Sequence, residues 1–91
     1  MSSALPIGAQ IEGVQVRFWA GAKSAAGRSE MVVAPGSARQ ILIQLRSELG
    51  ESFYAVAATS TLLLDGVALH DLDRPLCAGS TLEILPPFAG G

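Results

Sequence analysis

The chain has little of what several large classes of protein need. Its 91 residues include one cysteine, Cys77, which excludes an internal disulfide, a zinc site built on cysteines and a four-cysteine iron–sulfur cluster. Six Lys and Arg residues stand against eight Asp and Glu, with no basic run, so we expect no nucleic-acid partner. No uninterrupted apolar run is long enough to span a bilayer, so we expect no membrane partner either.

The first thirteen residues do not have the pattern of a secretion signal. Residues 1–13 have neither a basic start nor a continuous apolar stretch, and a signal peptide needs both. A lone cysteine suits a reducing compartment. The sequence therefore predicts a cytoplasmic protein.

What the chain does have is apolar content. Hydrophobic residues make up 49% of it and charged residues 15%, which favours one folded domain over a disordered tail. We expect a loose N-terminal arm over residues 1–13, a folded domain over 14–85 and a C-terminal tail over 86–91.

The first half of the domain predicts two strands and a helix. Residues 14–20 alternate apolar and polar side chains, and 30–34 give a second strand. Residues 21–27 between them are small and bounded by glycine, which favours a loop or a single turn. Ser37 and Gln40 fit a capping box that opens a helix over residues 37–49, ended by Gly50.

The second half predicts a hairpin and a final strand. Residues 53–59 fit either a short helix or a connection. A strand over 61–64 meets Asp65-Gly66, a strong two-residue hairpin signal, and returns over 67–69. Residues 71–76 are expected to be irregular, and 81–85 form the last strand.

Two hairpin-like halves around one helix predict an α+β fold of the β-grasp (ubiquitin-like) type, a mixed sheet with one main helix packed across it. Because a crossover through the helix should be right-handed, the last strand should lie parallel to the first in the middle of the sheet. Pro86 and Pro87 cannot donate ladder hydrogen bonds. We therefore expect the residues after them to project from the domain.

Three segments carry a family resemblance. The stretches VRFWAGAKSAAG (16–27) and DGVALHDLDRPLCAGSTLEILPP (65–87), with the final FAGG, resemble the small subunit of molybdopterin synthase. That family belongs to the ubiquitin-like sulfur carriers. The sequence departs from it at Lys23, where the family often has Arg, and at Ser80, where Asp is common.

The resemblance implies a function for the tail. The carboxylate of Gly91 is adenylated with ATP, converted to a thiocarboxylate, and donates sulfur to a cyclic pyranopterin, so the chain is the non-catalytic, sulfur-donating subunit. The implied partners are the large synthase subunit, an ATP-dependent adenylating enzyme and a sulfur donor protein. No cofactor and no metal is implied. The residues expected to contact partners are Pro86, Pro87, Phe88, Ala89 and Gly90.

Two other functions stay open at this point. A sulfur carrier can feed another pathway, such as thiamine or cysteine synthesis. A ubiquitin-like modifier would instead join Gly91 to lysines through isopeptide bonds. Phe88 could also pack back on its own sheet rather than anchor an interface.

Four further side chains invite an interpretation. Trp19 is expected to be a half-buried strand residue, with an interface role left open by its outward parity. Cys77 is expected to be a small core residue. His70 and Asp71 form a polar pair at a hairpin end, since no nearby serine has the spacing of a nucleophile elbow.

Overall fold

A five-stranded mixed sheet organises the chain, with strand order β2-β1-β7-β4-β5. The structure, a computed structural model, describes residues 12–87. In chain order the elements are β1 (Val14–Phe18), α1 (Ala20–Ala26), β2 (Glu30–Val33), β3 (Gly36–Ser37), α2 (Ala38–Leu49), α3 (Glu51–Ala57), β4 (Thr61–Leu64), β5 (Val67–Ala68), β6 (Pro75–Leu76) and β7 (Thr81–Leu85).

The centre of the sheet is a parallel pair, β1 and β7. Val16 lies opposite Leu82 and Phe18 opposite Ile84, while β7 also pairs antiparallel with β4. The alternation in β1 follows from the pleat, since Val14, Val16 and Phe18 face the helices and are buried. The predicted central position of the last strand, parallel to the first, is confirmed.

Local sequence signals fix the elements on either side. Ser37 Oγ accepts from the Gln40 amide at 3.1 Å, and Gln40 Oε1 accepts from the Ser37 amide at 2.9 Å. This reciprocal pair is the predicted capping box, and α2 begins there. Between β4 and β5, Asp65 and Gly66 have φ of 49° and 86°. A type I′ hairpin turn needs a positive φ at both of its central residues.

The core lies between the sheet and the helices. Helix α2 buries Ala38, Ile41, Leu42 and Leu45. Helix α3 resolves the ambiguous stretch 53–59 in favour of a helix over Glu51–Ala57, and it sends Phe53 into the core. The rings of Phe18 and Phe53 meet edge to face, with centroids 5.4 Å apart, a geometry that the ring quadrupole favours. This is the predicted α+β, β-grasp architecture.

Two local predictions were wrong. Residues 21–27 are mostly helix α1, which buries Ala22 and ends at Gly27; small residues suit it because it packs closely against α3 and the sheet. Residues 71–76 include strand β6, which pairs with β3 through Gly36–Leu76 and Ser37–Pro75. Strands β3 and β6 have two residues each, which is too few to show a sequence period.

Ala20 occupies an unusual backbone position at the start of α1. It was expected to extend the first strand, but it has φ of 48° and is exposed. An L-residue there is strained by about 1–2 kcal/mol, whereas glycine is not. We expect Ala20→Gly to raise the free energy of unfolding by about 0.5 kcal/mol, after subtraction of the entropy that glycine adds to the unfolded chain.

Urea denaturation of Ala20→Gly and of Ser24→Gly checks this expectation. Ser24 is exposed in the same helix and has no positive φ, so its glycine variant should lose about 0.5 kcal/mol. Equal losses in both variants would contradict the strain at Ala20.

Candidate functional site

The end of strand β7 positions the predicted site. Leu85 is the last strand residue, Pro86 is half-buried and Pro87 is exposed. Leu85 lies opposite Thr61 of β4, and the carbonyl of Ile84 accepts from the Trp19 amide at 3.2 Å. The chain therefore leaves the centre of the sheet between the end of β1 and the start of β4.

Most of the predicted site residues lie beyond this point. Phe88, Ala89, Gly90 and Gly91 are outside the described residues, as is nearly all of the expected N-terminal arm, residues 1–13. The roles of residues 88–91 in the tail, and the alternative that Phe88 packs on its own sheet, stay predictions.

Trp19 stands beside the exit of the chain and is held there from two sides. Its indole Nε1 donates to Glu83 Oε2 at 3.1 Å. The guanidinium carbon of Arg17 lies 5.0 Å from the ring centroid, a cation–π contact. The side chain is nevertheless 41% exposed. Trp19 is thus a fixed, accessible aromatic surface, more open than the half-buried residue that the alternation predicts.

The open face of the sheet carries a row of charges next to Trp19. Arg17 lies opposite Glu30 on β2 and opposite Glu83 on β7. Gln15 Nε2 donates to Glu30 Oε1 at 2.9 Å. Within residues 12–87 the ion pairs are Arg39–Asp73 and Arg46–Glu51, so neither Glu30 nor Glu83 has a cationic nitrogen within 4.0 Å there.

The shifted pKa values belong to groups away from this face. The hydrogen bond from Arg39 Nε to Asp73 Oδ1, 2.9 Å long, lowers the pKa of the Asp73 carboxyl, and the charge of Arg39 adds to the effect. The same contact raises the pKa of Arg39. Both side chains are well exposed, so this pair adds little to stability.

A shallow cavity opens on the helix side of the sheet. Its volume is about 390 Å³, and its lining includes Leu42, Tyr54, Leu62, Leu69 and His70. It could not be predicted from the sequence, because its lining comes from α2, α3, β4 and the loops that follow α3 and β5. Apolar and polar side chains both line it, and the polar ones include Tyr54 and His70.

The polar residues near the cavity do not form a catalytic triad. Ser60 Oγ donates to the carbonyl of Val56 at 2.8 Å. Asp71 Oδ1 accepts from the Asp73 amide at 3.0 Å and so closes a turn. His70 is exposed. These contacts fit the interpretation of His70 and Asp71 as a polar pair at a hairpin end.

Cys77 is exposed, so the prediction that it lies in the core was wrong. Its carbonyl accepts from the Ser80 amide at 3.1 Å, which places Cys77 in the turn between β6 and β7. The apolar neighbour Leu76 is buried instead, because it is the strand residue that faces inward.

Two kinds of feature are absent from the described residues. Among residues 12–87 no group of three or more His, Cys, Asp or Glu side chains could hold a metal ion. No helix in that range combines the length and the apolar character that crossing a membrane requires.

Comparison by sequence finds no match, neither to a protein-family model nor to a curated protein. Comparison by structure does. A chain from the complex of subunits 1 and 2 of the molybdopterin-converting factor from Helicobacter pylori superposes with a TM-score of 0.66 at 20% identity, covering 86% of this chain and 97% of that one.

Two further solved structures give similar superpositions. Small archaeal modifier protein 1 from Methanosarcina acetivorans has a TM-score of 0.74 at 22% identity, with 89% of this chain and 98% of that chain covered. Urm1 from Trypanosoma brucei has a TM-score of 0.65 at 13% identity, with 89% and 97% covered. The chain has the β-grasp fold, and it shares that fold with a chain from a complex of the molybdopterin-converting factor, with small archaeal modifier protein 1 and with Urm1.

Proposed function

We propose that the chain is a ubiquitin-like sulfur carrier for molybdopterin synthesis, with a folded domain over residues 14–85 and a reactive tail over 86–91. One observation carries the proposal. The central strand β7 ends at Leu85, and the sequence continues at once as Pro-Pro-Phe-Ala-Gly-Gly. In this arrangement the Gly-Gly sequence follows shortly after the middle strand of the β-grasp sheet. An enzyme can therefore bind the folded domain and at the same time modify the carboxylate of Gly91.

The proposed chemistry takes place at the carboxylate of Gly91. The carboxylate attacks the α-phosphate of ATP, and pyrophosphate leaves. Hydrosulfide supplied by the sulfur donor then attacks the acyl-adenylate carbonyl; AMP leaves, the S–H proton is lost, and a thiocarboxylate is formed. The thiocarboxylate sulfur attacks the cyclic pyranopterin, and water then cleaves the acyl–sulfur bond, which leaves the sulfur on the pterin and restores the Gly91 carboxylate.

The residue types of the tail fit insertion into a narrow channel. Gly90 and Gly91 have no Cβ, so the reacting end is slim. Pro86 and Pro87 restrict the free chain, which reduces the ordering cost of binding. Phe88 offers an aromatic ring that removes about 150–250 Å² from water when it is buried.

The proposed partners follow from the same chemistry. They are an ATP-dependent adenylating enzyme, a sulfur donor protein and a large synthase subunit that binds the pyranopterin. The structural likeness to a chain from a complex of two molybdopterin-converting subunits supports the last of these. A carrier that serves thiamine or cysteine synthesis would share the first two partners and lack the third.

Mass spectrometry tests the proposal directly. The chain is incubated with its adenylating enzyme, ATP and a sulfur donor. We expect a mass gain equal to one oxygen replaced by sulfur, located at Gly91 by fragmentation. Addition of the large subunit and the cyclic pyranopterin should return the mass to that of the carboxylate.

A modifier function is the second candidate, favoured by the likeness to small archaeal modifier protein 1. It uses the same adenylate, but a lysine amine attacks it and an isopeptide bond results. Analysis of proteins from the native cell separates the two candidates. Lysine-linked Gly91 adducts without any thiocarboxylate would assign the chain as a modifier.

Phe88 should act as an interface anchor. We expect Phe88→Ala to weaken association with the large subunit by about 2–4 kcal/mol, the usual effect of truncating a hot-spot aromatic residue, and to leave the Tm nearly unchanged. Calorimetric titration and thermal melting measure the two effects. Val67→Ala is the control, since Val67 is 70% exposed at the far hairpin. A lower Tm with unaltered affinity would instead indicate packing of Phe88 on its own sheet.

Cys77 should take no part in sulfur transfer, because the sulfur is carried on Gly91. Cys77 is exposed, so we expect Cys77→Ser to change the free energy of unfolding by less than about 0.5 kcal/mol. The variant should be converted to the thiocarboxylate at the wild-type rate. A normally folded Cys77→Ser variant that cannot be converted would contradict the carrier chemistry.

A further inference from the structure

The chain carries a single lysine, and it lies on the helix next to the exit of the tail. Lys23 is the only lysine in the sequence, and it is exposed on helix α1. It takes part in neither of the ion pairs found within residues 12–87. No carboxylate of that range therefore holds its amine in place.

Two backbone hydrogen bonds connect Lys23 to the last core residue of β7. The Lys23 amide donates to the carbonyl of Trp19 at 3.3 Å, and the Trp19 amide donates to the carbonyl of Ile84 at 3.2 Å. One residue and two hydrogen bonds thus separate Lys23 from Ile84, so their backbones lie within about 10 Å of each other. Helix α1 and strand β7 are accordingly in contact.

The tail is long enough to bring Gly91 to the amine of Lys23. From Leu85 the six residues to Gly91 reach about 20 Å when extended, which is about twice the separation of Lys23 and Ile84. The lysine amine also stands on a flexible four-carbon stem. Gly90 and Gly91 accept the backbone angles that a turn back towards the helix requires.

The surface of α1 leaves the amine accessible. The helix has the sequence AGAKSAA, so only small side chains accompany Lys23. A Cβ atom at Gly21 would meet nothing within 4 Å, which shows open space on the same helix. A tail of glycine and alanine can therefore approach Nζ without displacing a larger side chain of α1.

We propose that Lys23 captures the activated carboxylate of its own chain when no sulfur is supplied. The neutral Nζ amine attacks the carbonyl carbon of the Gly91 adenylate; a C–N bond forms, the C–O bond to AMP breaks, and Nζ loses a proton to water. The product is a ring closed by an isopeptide bond between Lys23 and Gly91. It has no free tail carboxylate, so the chain can no longer carry sulfur.

The inference rests on the proposed function, since it needs the Gly91 adenylate. It adds a modification site and a second fate for the activated chain, and the supply of hydrosulfide decides between the two. Only a lysine can act in this way, because a guanidinium has no free electron pair with which to attack.

Closure within one chain should be faster than the joining of two chains. A short flexible tether gives an effective concentration in the millimolar range. At a chain concentration of about 10 µM, the ring should therefore exceed the linked dimer by about 100-fold.

The test uses the full chain with the source organism's adenylating enzyme and ATP, without a sulfur donor. We expect a product lighter than the chain by one water. After trypsin digestion, a peptide that contains Lys23 should be joined to the C-terminal peptide. When the sulfur donor is present from the start, the thiocarboxylate should form instead of the ring.

Two variants serve as matched controls. Lys23→Arg keeps the charge and removes the nucleophile, so it should support pyrophosphate exchange at the wild-type rate and form no ring. Adding Arg74→Lys to that variant restores one exposed lysine, directly before β6. This lysine lies towards the start of β7, about 17 Å along the strand from Leu85, so the double variant should form at least tenfold less ring than wild type.

The outcomes separate this inference from the proposed function. If wild-type chain forms the thiocarboxylate with the sulfur donor and no ring without it, the capture by Lys23 is wrong and the proposed function stands. A loss of water that persists in Lys23→Arg, or a linked dimer in place of the ring, overturns the inference in the same way. If wild-type chain supports no pyrophosphate exchange, the proposed function fails, and the inference fails with it.

Discussion

Removal of Gly91, or addition of one residue after it, should abolish formation of the thiocarboxylate while the domain folds normally. One extended residue moves the carboxylate by about 3.3–3.6 Å. A misplacement of about 1 Å can cost on the order of 100-fold in rate, so both changes should lower the rate of adenylation by at least that factor. The measurements are pyrophosphate exchange and the intact mass after incubation with ATP and a sulfur donor.

The controls for this experiment separate chemistry from folding. The core residues of the described chain end at Ile84, so the Tm of both variants should equal that of wild type. Val67→Ala changes a side chain that is 70% exposed at the β4–β5 hairpin and leaves the tail intact, and it should be adenylated at a rate close to that of wild type. Efficient thiocarboxylate formation on the shortened or lengthened chain would contradict the proposed role of Gly91.

Strands and the main helix could be predicted because their signals are local. The alternation around Val14, Val16 and Phe18 reports a half-buried strand directly. Ser37 and Gln40 mark a helix start three residues apart, and Asp65-Gly66 marks a hairpin within two residues. The parallel pairing of β1 and β7 then follows from the order of the elements and the handedness of the crossover.

The errors have a common physical origin in tertiary contacts. Helix α1 contains two glycine or serine residues in seven, which weakens its intrinsic propensity, and packing against α3 and the sheet compensates. Strands β3 and β6 are about forty residues apart in the sequence. They share two residue pairs, which are too few to show a period. Cys77 has apolar neighbours in sequence, but the turn before β7 directs it outward.

The candidate site divides in the same way. The tail is proposed from the sequence alone, because prolines and glycines act through their own backbone chemistry, and the roles of residues 88–91 stay predictions because they lie outside the described residues. The surface beside it could not be predicted in full. The outward parity of Trp19 left an interface role open, but its hydrogen bond to Glu83 joins residues 64 positions apart. Only the pairing of β1 with β7 brings the indole, the carboxylate and the exit of the tail together.

The close approach of two strands at Gly13 predicts the largest effect on stability. Gly13 is buried just before β1, and its carbonyl accepts from the Gly79 amide at 2.9 Å. A Cβ atom there would overlap the carbonyl oxygen of Val33 and lie 2.9 Å from Val32 Cγ1. A backbone oxygen in a paired strand cannot move aside without disturbing the β1–β2 ladder.

We therefore expect Gly13→Ala to lower the free energy of unfolding by about 3 kcal/mol, at the upper end of typical overpacking costs, and the Tm by more than about 10 °C. Gly21→Ala is the matched control. A Cβ at Gly21 meets nothing within 4 Å, and alanine favours the helix by up to about 1 kcal/mol, so this variant should be as stable as wild type or more so. Urea and thermal unfolding measure both. Equal stability of the two variants would mean that β1 and β2 do not approach each other at Gly13 as described.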